Sequence, residues 1–125
     1  MDPCAGNGFH TYLFKTYSNL KTISVDIQKE EDAWNDIIEC DGVQFLKNYD
    51  KHFETVLLLS WIDYEELCLK VLDNFKGYMI ISIGNYEEKC PNYKKILNCN
   101  YVLLELIYLK MPWGLEEKIE IYKRK

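Results

Sequence analysis

A glycine-rich turn, Ala5-Gly6-Asn7-Gly8, stands shortly after Asp2 and directly before a helix-type segment. Glycine lets the backbone approach a ligand closely, and the helix that follows offers amide groups without partners inside the helix. Such a turn normally comes after a buried β-strand and binds part of a nucleotide-like cofactor. Here only Met1-Asp2-Pro3-Cys4 precede it. The pattern therefore predicts either a ligand-binding fold that lacks its first strand, or a simple turn.

Polar or glycine residues also follow each of the later predicted strands at the point where it ends. Asp26 comes eighteen positions after Gly8, close to the spacing at which an acidic residue meets the hydroxyl pair of a ribose. The other strand ends carry Asp41-Gly42, Ser60-Trp61 and Gly84-Asn85. Any one of these is weak, because an aspartate at a strand end commonly caps a helix. Together they predict a nucleoside-shaped cleft at one edge of a sheet, where the carboxyl ends of parallel strands meet.

The elements that must position these residues alternate along the chain. Short apolar runs at 22–26, 37–40, 55–60 and 78–83 are typical of buried parallel strands. Helix-period segments lie between them at 9–17, 43–48 and 65–75. The alternation predicts one α/β domain over residues 1–125, with a mostly parallel sheet and right-handed crossovers.

The C-terminal part changes character. Runs at 101–109 and 118–122 are of the β type and are joined by Met111-Pro112-Trp113-Gly114-Leu115, which predicts an antiparallel hairpin at the end of the sheet. The last run alternates Ile119 and Ile121 with Glu120 and Tyr122. This alternation predicts an edge strand whose Glu120 side faces water.

Composition limits the function classes. The chain has 125 residues and a net charge of −5, so nucleic acid is not the expected partner. Five cysteines without a CxxC pair and two histidines predict neither a disulfide framework nor a metal site. No apolar run approaches the ~20 residues that span a bilayer. These features predict a cytoplasmic protein in a reducing compartment, without membrane contact.

Several motifs, in this order, resemble those of the class I S-adenosylmethionine-dependent methyltransferases, which are Rossmann-like. The similarity is closest to an uncharacterised group with a DP-AG-G opening, an LLLSWPPY motif, an IGE motif and a tryptophan near the final hairpin. This chain has DPCAGNG at 2–8, LLLSWIDY at 57–64, IGN at 83–85 and PWG at 112–114. The resemblance implies a class I methyltransferase sheet, N-terminally truncated, with an antiparallel C-terminal strand.

The resemblance also implies a role for each strand end. Asp2 and the turn from Ala5 to Gly8 would contact the cofactor, with Gly6, Asn7 and Gly8 around its methionine part. Asp26 would hold the ribose, and Asp41 with Gly42 would face the adenine. Ser60 would also contact the cofactor. The candidate catalytic residues would lie where the methyl donor meets its acceptor, and they are Ser60, Trp61 and Tyr64. An aromatic wall suits a sulfonium, because a ring face attracts a cation.

The chain departs from the group's pattern in three ways. The first strand is missing, Ile62-Asp63 replaces Pro-Pro, and Asn85 replaces a glutamate. Two functions therefore stay open: a methyltransferase of unknown acceptor, or a truncated, inactive relative that serves as an interaction module. A homo-oligomer or a partner chain would then complete the sheet. His10 is interpreted as an exposed or capping residue, with a role near the ligand as the alternative. Trp34 and Trp113 are interpreted as packing residues of the core or of the rim, with Trp113 the one that borders the substrate pocket.

Overall fold

The computed structural model describes residues 1–110 and 116–125. Its helices are α1 (Phe9–Tyr17), α2 (Gly42–Asn48), α3 (Glu65–Asn74), α4 (Tyr86–Lys89) and α5 (Pro91–Asn100), with a 3-10 turn at His52–Glu54. Its strands are β1 (Ser24–Asp26), β2 (Ile37–Glu39), β3 (Val56–Ser60), β4 (Met79–Gly84), β5 (Tyr101–Lys110) and β6 (Glu116–Arg124). Residues 112–114, which carry the predicted motif and include Trp113, lie outside the described residues.

The strands form two ladders. In the first, β1 pairs with β2 in parallel, and in the second the order is β3-β4-β6-β5. The β3/β4 pair is parallel, whereas β6 is antiparallel to both β4 and β5. The predicted α/β class and the antiparallel hairpin at the end are confirmed. Among the described strands two pairs are parallel and two are antiparallel, so the strand pairing is evenly mixed rather than mostly parallel.

Met1 and Asp2 lie between β1 and β3 and join the two ladders. The amino group of Met1 donates to the Val56 carbonyl at 2.8 Å, and the Leu58 amide donates to the Met1 carbonyl at 2.7 Å. On the other side the Asp2 amide donates to the Ile23 carbonyl at 2.8 Å. Where the sequence predicts a missing first strand, the backbone groups of these two residues therefore pair with both neighbouring strands.

The main core lies on one face of the sheet, under α2, α3 and α5. The apolar runs of β3 and β4 supply Leu57, Leu59 and Ile80, all fully buried there. Helix α1 covers the opposite face, where the Thr11 hydroxyl lies 2.7 Å from the Ser24 hydroxyl of β1. Helices on both faces are what the βαβ alternation requires. Among the described residues no helix is long and apolar enough to cross a bilayer.

Strand β6 corrects the prediction of an edge strand. It lies inside the sheet between β4 and β5, and its Glu120 and Tyr122 side chains are buried rather than solvated. The ammonium of Lys94 on α5 pairs with both Glu120 oxygens at 2.7 Å and donates to the Tyr122 hydroxyl. The sequence pattern did not indicate α5. Because Lys94 lies on that helix, nothing in the sequence indicated that Glu120 would be buried with a partner.

Candidate functional site

The glycine turn has the backbone conformation that its sequence predicts. Gly6 has φ +54° and Gly8 has φ +76°, both in the left-handed region that favours glycine. A Cβ on Gly8 would lie 2.9 Å from the Ile37 Cδ1, so this glycine allows close packing against β2. A Cβ on Gly6 would meet no atom within 4 Å. Gly6 therefore borders open space, and its turn is free to approach a ligand.

Asp26 at the end of β1 lies directly beside the turn. The Gly6 amide donates to the Asp26 Oδ2 at 2.8 Å, and the Gln28 amide donates to the Oδ1 at 3.3 Å. A carboxylate offers about four acceptor positions, so each oxygen retains one for a ligand hydroxyl. The structure thus brings together the turn and the acidic residue that the spacing paired.

The end of β2 reaches the same rim. The Cys40 amide donates to the Asp26 carbonyl at 2.8 Å. Asp41 is exposed and caps α2, with its carboxylate accepting from the Gln44 amide at 2.9 Å. A Cβ on Gly42 would lie 1.8 Å from the Pro3 carbonyl oxygen. Gly42 therefore lets α2 begin in direct contact with the segment leading to the glycine turn.

Asp2 is almost fully buried beneath this rim. Its Oδ1 accepts from the Cys4 amide at 3.2 Å. Burial raises the pKa of Asp2 to about 7, against a partial lowering by that hydrogen bond and the Met1 amino group. Burial and the surrounding carboxylates raise the pKa of the Cys4 thiol to about 12, so Cys4 is a packing residue and not a thiolate.

At the end of β3, Ser60 contacts the first turn of α1. The Ser60 hydroxyl and the His10 Nδ1 share a hydrogen bond at 2.7 Å. Burial lowers the pKa of His10, and the charge of Glu117 opposes the shift. The interpretation of His10 as an exposed or capping residue is therefore wrong: its half-buried ring lies next to Ser60 and favours the neutral form.

Trp61 is held in a strained backbone conformation next to Ser60. Its φ is +52°, which is unusual for a bulky residue, and its amide donates to the Ile83 carbonyl at 2.9 Å. The indole Nε1 donates to the Glu117 carboxylate, which is only 5% exposed. The ring also lies against Gly84. Three strand ends therefore hold Trp61, and strain of this kind is concentrated at functional sites.

Tyr64 lies apart from this cluster. Its side chain is 76% exposed, and the residue forms the N-terminal boundary of α3. Beside it, the Asp63 carboxylate pairs with Lys89 at 2.6 Å on the surface. Asn85 stands at the start of α4, where the following Tyr86 accepts a hydrogen bond from the Ile62 amide at 3.1 Å. Of the three residues predicted near the acceptor, Ser60 and Trp61 come together and Tyr64 does not join them.

An aromatic cluster beside the glycine turn was missed in the sequence. The ring centroid of Trp34 lies 5.4 Å from those of both Phe9 and Tyr12. The Trp34 amide donates to the Asn7 carbonyl at 2.8 Å, yet its side chain is 54% exposed. Trp34 is thus not buried in the core. It borders the rim. The sequence feature that could have indicated this aromatic cluster is Phe9, which directly follows Gly8.

Comparison with known proteins bears on the fold. No protein-family model and no curated protein matches the chain. Among solved structures, the chain is similar to Burkholderia thailandensis 1,6-didemethyltoxoflavin-N1-methyltransferase, solved with 1,6-didemethyltoxoflavin and S-adenosylhomocysteine. The TM-score is 0.65 at 11% identity, over 99% of this chain and 69% of that one. This chain has a methyltransferase-like fold.

The chain is also similar to a second solved structure. Protein 1320 of Thermoplasma acidophilum matches with a TM-score of 0.62 at 16% identity, over 98% of this chain and 73% of that one. Both alignments span nearly all of the chain. The shared feature is therefore the whole arrangement of strands and helices rather than a local motif.

Proposed function

We propose that the rim formed by the glycine turn, Asp26 and Asp41 binds S-adenosylmethionine, and that the protein transfers its methyl group to an acceptor. The hydrogen bond of 2.8 Å from the Gly6 amide to the Asp26 carboxylate carries this proposal. It sets a positive-φ glycine with open space above it beside an acceptor for ribose hydroxyls. The methyltransferase-like fold supports the choice of cofactor.

The residues present fit such a cofactor. Gly6, Asn7 and Gly8 would hold its methionine part, and Asp26 would accept hydrogen bonds from the ribose. Asp41 and Gly42 would border the adenine, although one Asp41 oxygen already caps α2. When bound, S-adenosylmethionine supplies a methyl group activated on a sulfonium. The protein then has to align an acceptor and exclude water.

The part of the site next to the methyl acceptor would be formed by His10, Ser60 and Trp61. Ser60 orients the His10 ring, and burial disfavours protonation of that ring. In the tautomer with its proton on Nδ1, the Nε2 of His10 can accept a proton from an acceptor that must lose one. Trp61 presents an indole held by Glu117, a wall that favours a nearby cation.

Calorimetry with S-adenosylhomocysteine and S-adenosylmethionine tests the proposal. We expect binding in the micromolar range, and Asp26→Ala should weaken it by about tenfold or more, because charged hydrogen bonds to the ribose are lost. Asp73→Ala is the matched control, since Asp73 is exposed on α3. A folded protein that binds neither compound would overturn the proposal and favour the inactive interaction module.

A further inference from the structure

Strand β5 exposes large apolar residues along most of its length. Six of them are each between 37% and 60% exposed, and they define the β5 patch: Val102, Leu103, Leu104, Leu106, Ile107 and Tyr108. At roughly 150–200 Å² for one whole large residue, the patch exposes on the order of 500 Å². Apolar patches of this size on a single chain are often interaction sites.

The β5 patch lies on both faces of the sheet. Leu106 shares a face with its β6 partner Glu120, whereas Ile107 shares the opposite face with its β6 partner Ile119. Apolar residues on both faces are typical of a strand that lies inside a sheet. Among the described strands, however, β5 ends the sheet and has β6 as its one neighbour. The pattern of β5 therefore indicates that a further strand lies beside it.

The outer edge of β5 also carries unpaired backbone groups. The Lys125 amide donates to the Asn100 carbonyl at 3.1 Å, so the odd-numbered residues of β6 direct their backbone groups toward β5. Ile107 lies opposite one of them, and its neighbours Leu106 and Tyr108 therefore direct their amides and carbonyls away from β6. In the part of the chain that the structure describes, these groups meet no partner. Such an edge is a template for pairing with another strand.

Charge and area favour a second copy of this chain as the partner. The pairing of β5 with β6 shifts at Leu104 and is regular from Glu105 to Lys110. This regular part carries one negative and one positive side chain, so two copies meet there without net repulsion, although the whole chain has a net charge of −5. Two β5 patches together offer about 1,000 Å², the size at which a specific interface begins. Two-fold dimers are also the commonest oligomers.

We propose that two copies of this chain associate through β5, paired antiparallel about a two-fold axis at Ile107, so that the sheet continues from one copy into the other. In this register Leu106 of each copy lies opposite Tyr108 of the other, which is a favourable pairing of an aliphatic with an aromatic side chain. It also keeps Glu105 of one copy from lying opposite Glu105 of the other. The inference does not depend on methyl transfer, since β4 and β6 separate β5 from β3.

Sedimentation of the whole chain over a range of concentrations tests this proposal. We expect a dimer with a Kd in the micromolar range. Ile107→Lys places two like charges opposite each other at the axis, so the Kd should rise by about tenfold or more. Tyr17→Lys is the matched control, because Tyr17 is 83% exposed on α1, and it should leave the Kd unchanged. A wild-type monomer at about 100 μM would overturn the proposal. An equal Kd for the two lysine variants would overturn it too.

A cysteine at the axis tests the register with a smaller change. The backbone groups of Ile107 bond to β6, so the two copies of this residue would form a pair without mutual hydrogen bonds. The Cα atoms of such a pair lie about 4.5 Å apart, a distance that a disulfide spans. In a Cys99→Ser background, which removes the exposed native thiol, Ile107→Cys should therefore form a covalent dimer with oxidised glutathione. The two thiols form one disulfide, and the oxidant is reduced to two molecules of glutathione.

Val102→Cys in the same background is the control for this cross-link. Val102 is also exposed on β5, but in the proposed register its two copies lie on the order of 30 Å apart. We expect it to remain uncross-linked under conditions that convert Ile107→Cys to the covalent dimer. Absence of the cross-link in Ile107→Cys, or equal cross-linking of the two variants, would show that β5 does not pair in this way.

Discussion

The His10 imidazole lies 2.7 Å from the Ser60 hydroxyl, although fifty residues separate them in sequence. This contact ties the first turn of α1 to the end of β3. Because burial lowers the pKa of His10 from its ordinary 6.5, the unfolded chain takes up a proton at a higher pH than the folded chain does. The free energy of unfolding should therefore fall as the pH drops below 6.5.

His10→Gln removes this titration and keeps a hydrogen-bonding group next to Ser60. We expect the variant to lose less stability than the wild type when the pH is lowered from 7 to below 6.5, as measured by urea unfolding. Ser60→Ala, which leaves His10 able to titrate, is the control. If His10→Gln and the wild type lose stability in parallel, His10 is not held in its neutral form.

Asp2 should show the opposite dependence on pH. Its pKa is raised by burial to about 7 from an ordinary 3.8, so the free energy of unfolding should fall as the pH rises from 3.8 to about 7 and should not depend on Asp2 outside that window. Asp2→Asn keeps the acceptor for the Cys4 amide and removes the charge. We expect it to stabilise the protein by about 2–4 kcal/mol at pH 8 and by little at pH 4, from thermal unfolding. An equal effect at both pH values would contradict this account.

The buried pair of Lys94 and Glu120 should be costly to break from one side. Their side chains are 11% and 8% exposed, so Lys94→Met leaves an unpaired carboxylate inside the protein. We expect a loss of about 3–5 kcal/mol of unfolding free energy, with much of it restored in Lys94→Met/Glu120→Gln. Lys95→Met, at the exposed neighbouring position, should change stability by less than about 0.5 kcal/mol. If Lys94→Met/Glu120→Gln is no more stable than Lys94→Met, the role of the pair is refuted.

Two glycine variants distinguish packing from ligand space. Gly42→Ala brings a Cβ to 1.8 Å from the Pro3 carbonyl oxygen, so we expect about 1–3 kcal/mol of destabilisation or more. Gly6→Ala meets open space and should cost only about 1–2 kcal/mol for its left-handed backbone. Under the proposed function Gly6→Ala should also lose affinity for S-adenosylhomocysteine in calorimetry. Unchanged affinity would remove Gly6 from the cofactor site.

Much of the fold can be predicted from local pattern. The bounds of α1 agree with those predicted, and the apolar runs around β3 and β4 differ from the observed strands by a residue or so. Parallel strands buried on both faces produce continuous apolar runs, which few other structures do. The spacing of Gly8 and Asp26 likewise reflects one βαβ unit, and it indicated correctly which strand end meets the glycine turn.

Other features depend on partners that are distant in sequence. Helix α5 begins at a proline and carries a polar sequence, so its pattern is weak. When α5 is not predicted, Glu120 is interpreted as a solvated residue and β6 as an edge strand. The contacts of His10 with Ser60 and of Trp61 with Glu117 join residues 50 and 56 positions apart, and no periodicity encodes such pairs.

The sequence by itself determined the α/β class, the position of the glycine turn and the acidic residue that follows β1, because these are local consequences of backbone geometry and hydrophobic periodicity. Only the tertiary structure decided that Met1 and Asp2 pair with both β1 and β3, and that Lys94 neutralises a buried glutamate. Those outcomes depend on which backbone and charged groups lack partners once the chain is packed, and such unpaired groups exist only in three dimensions.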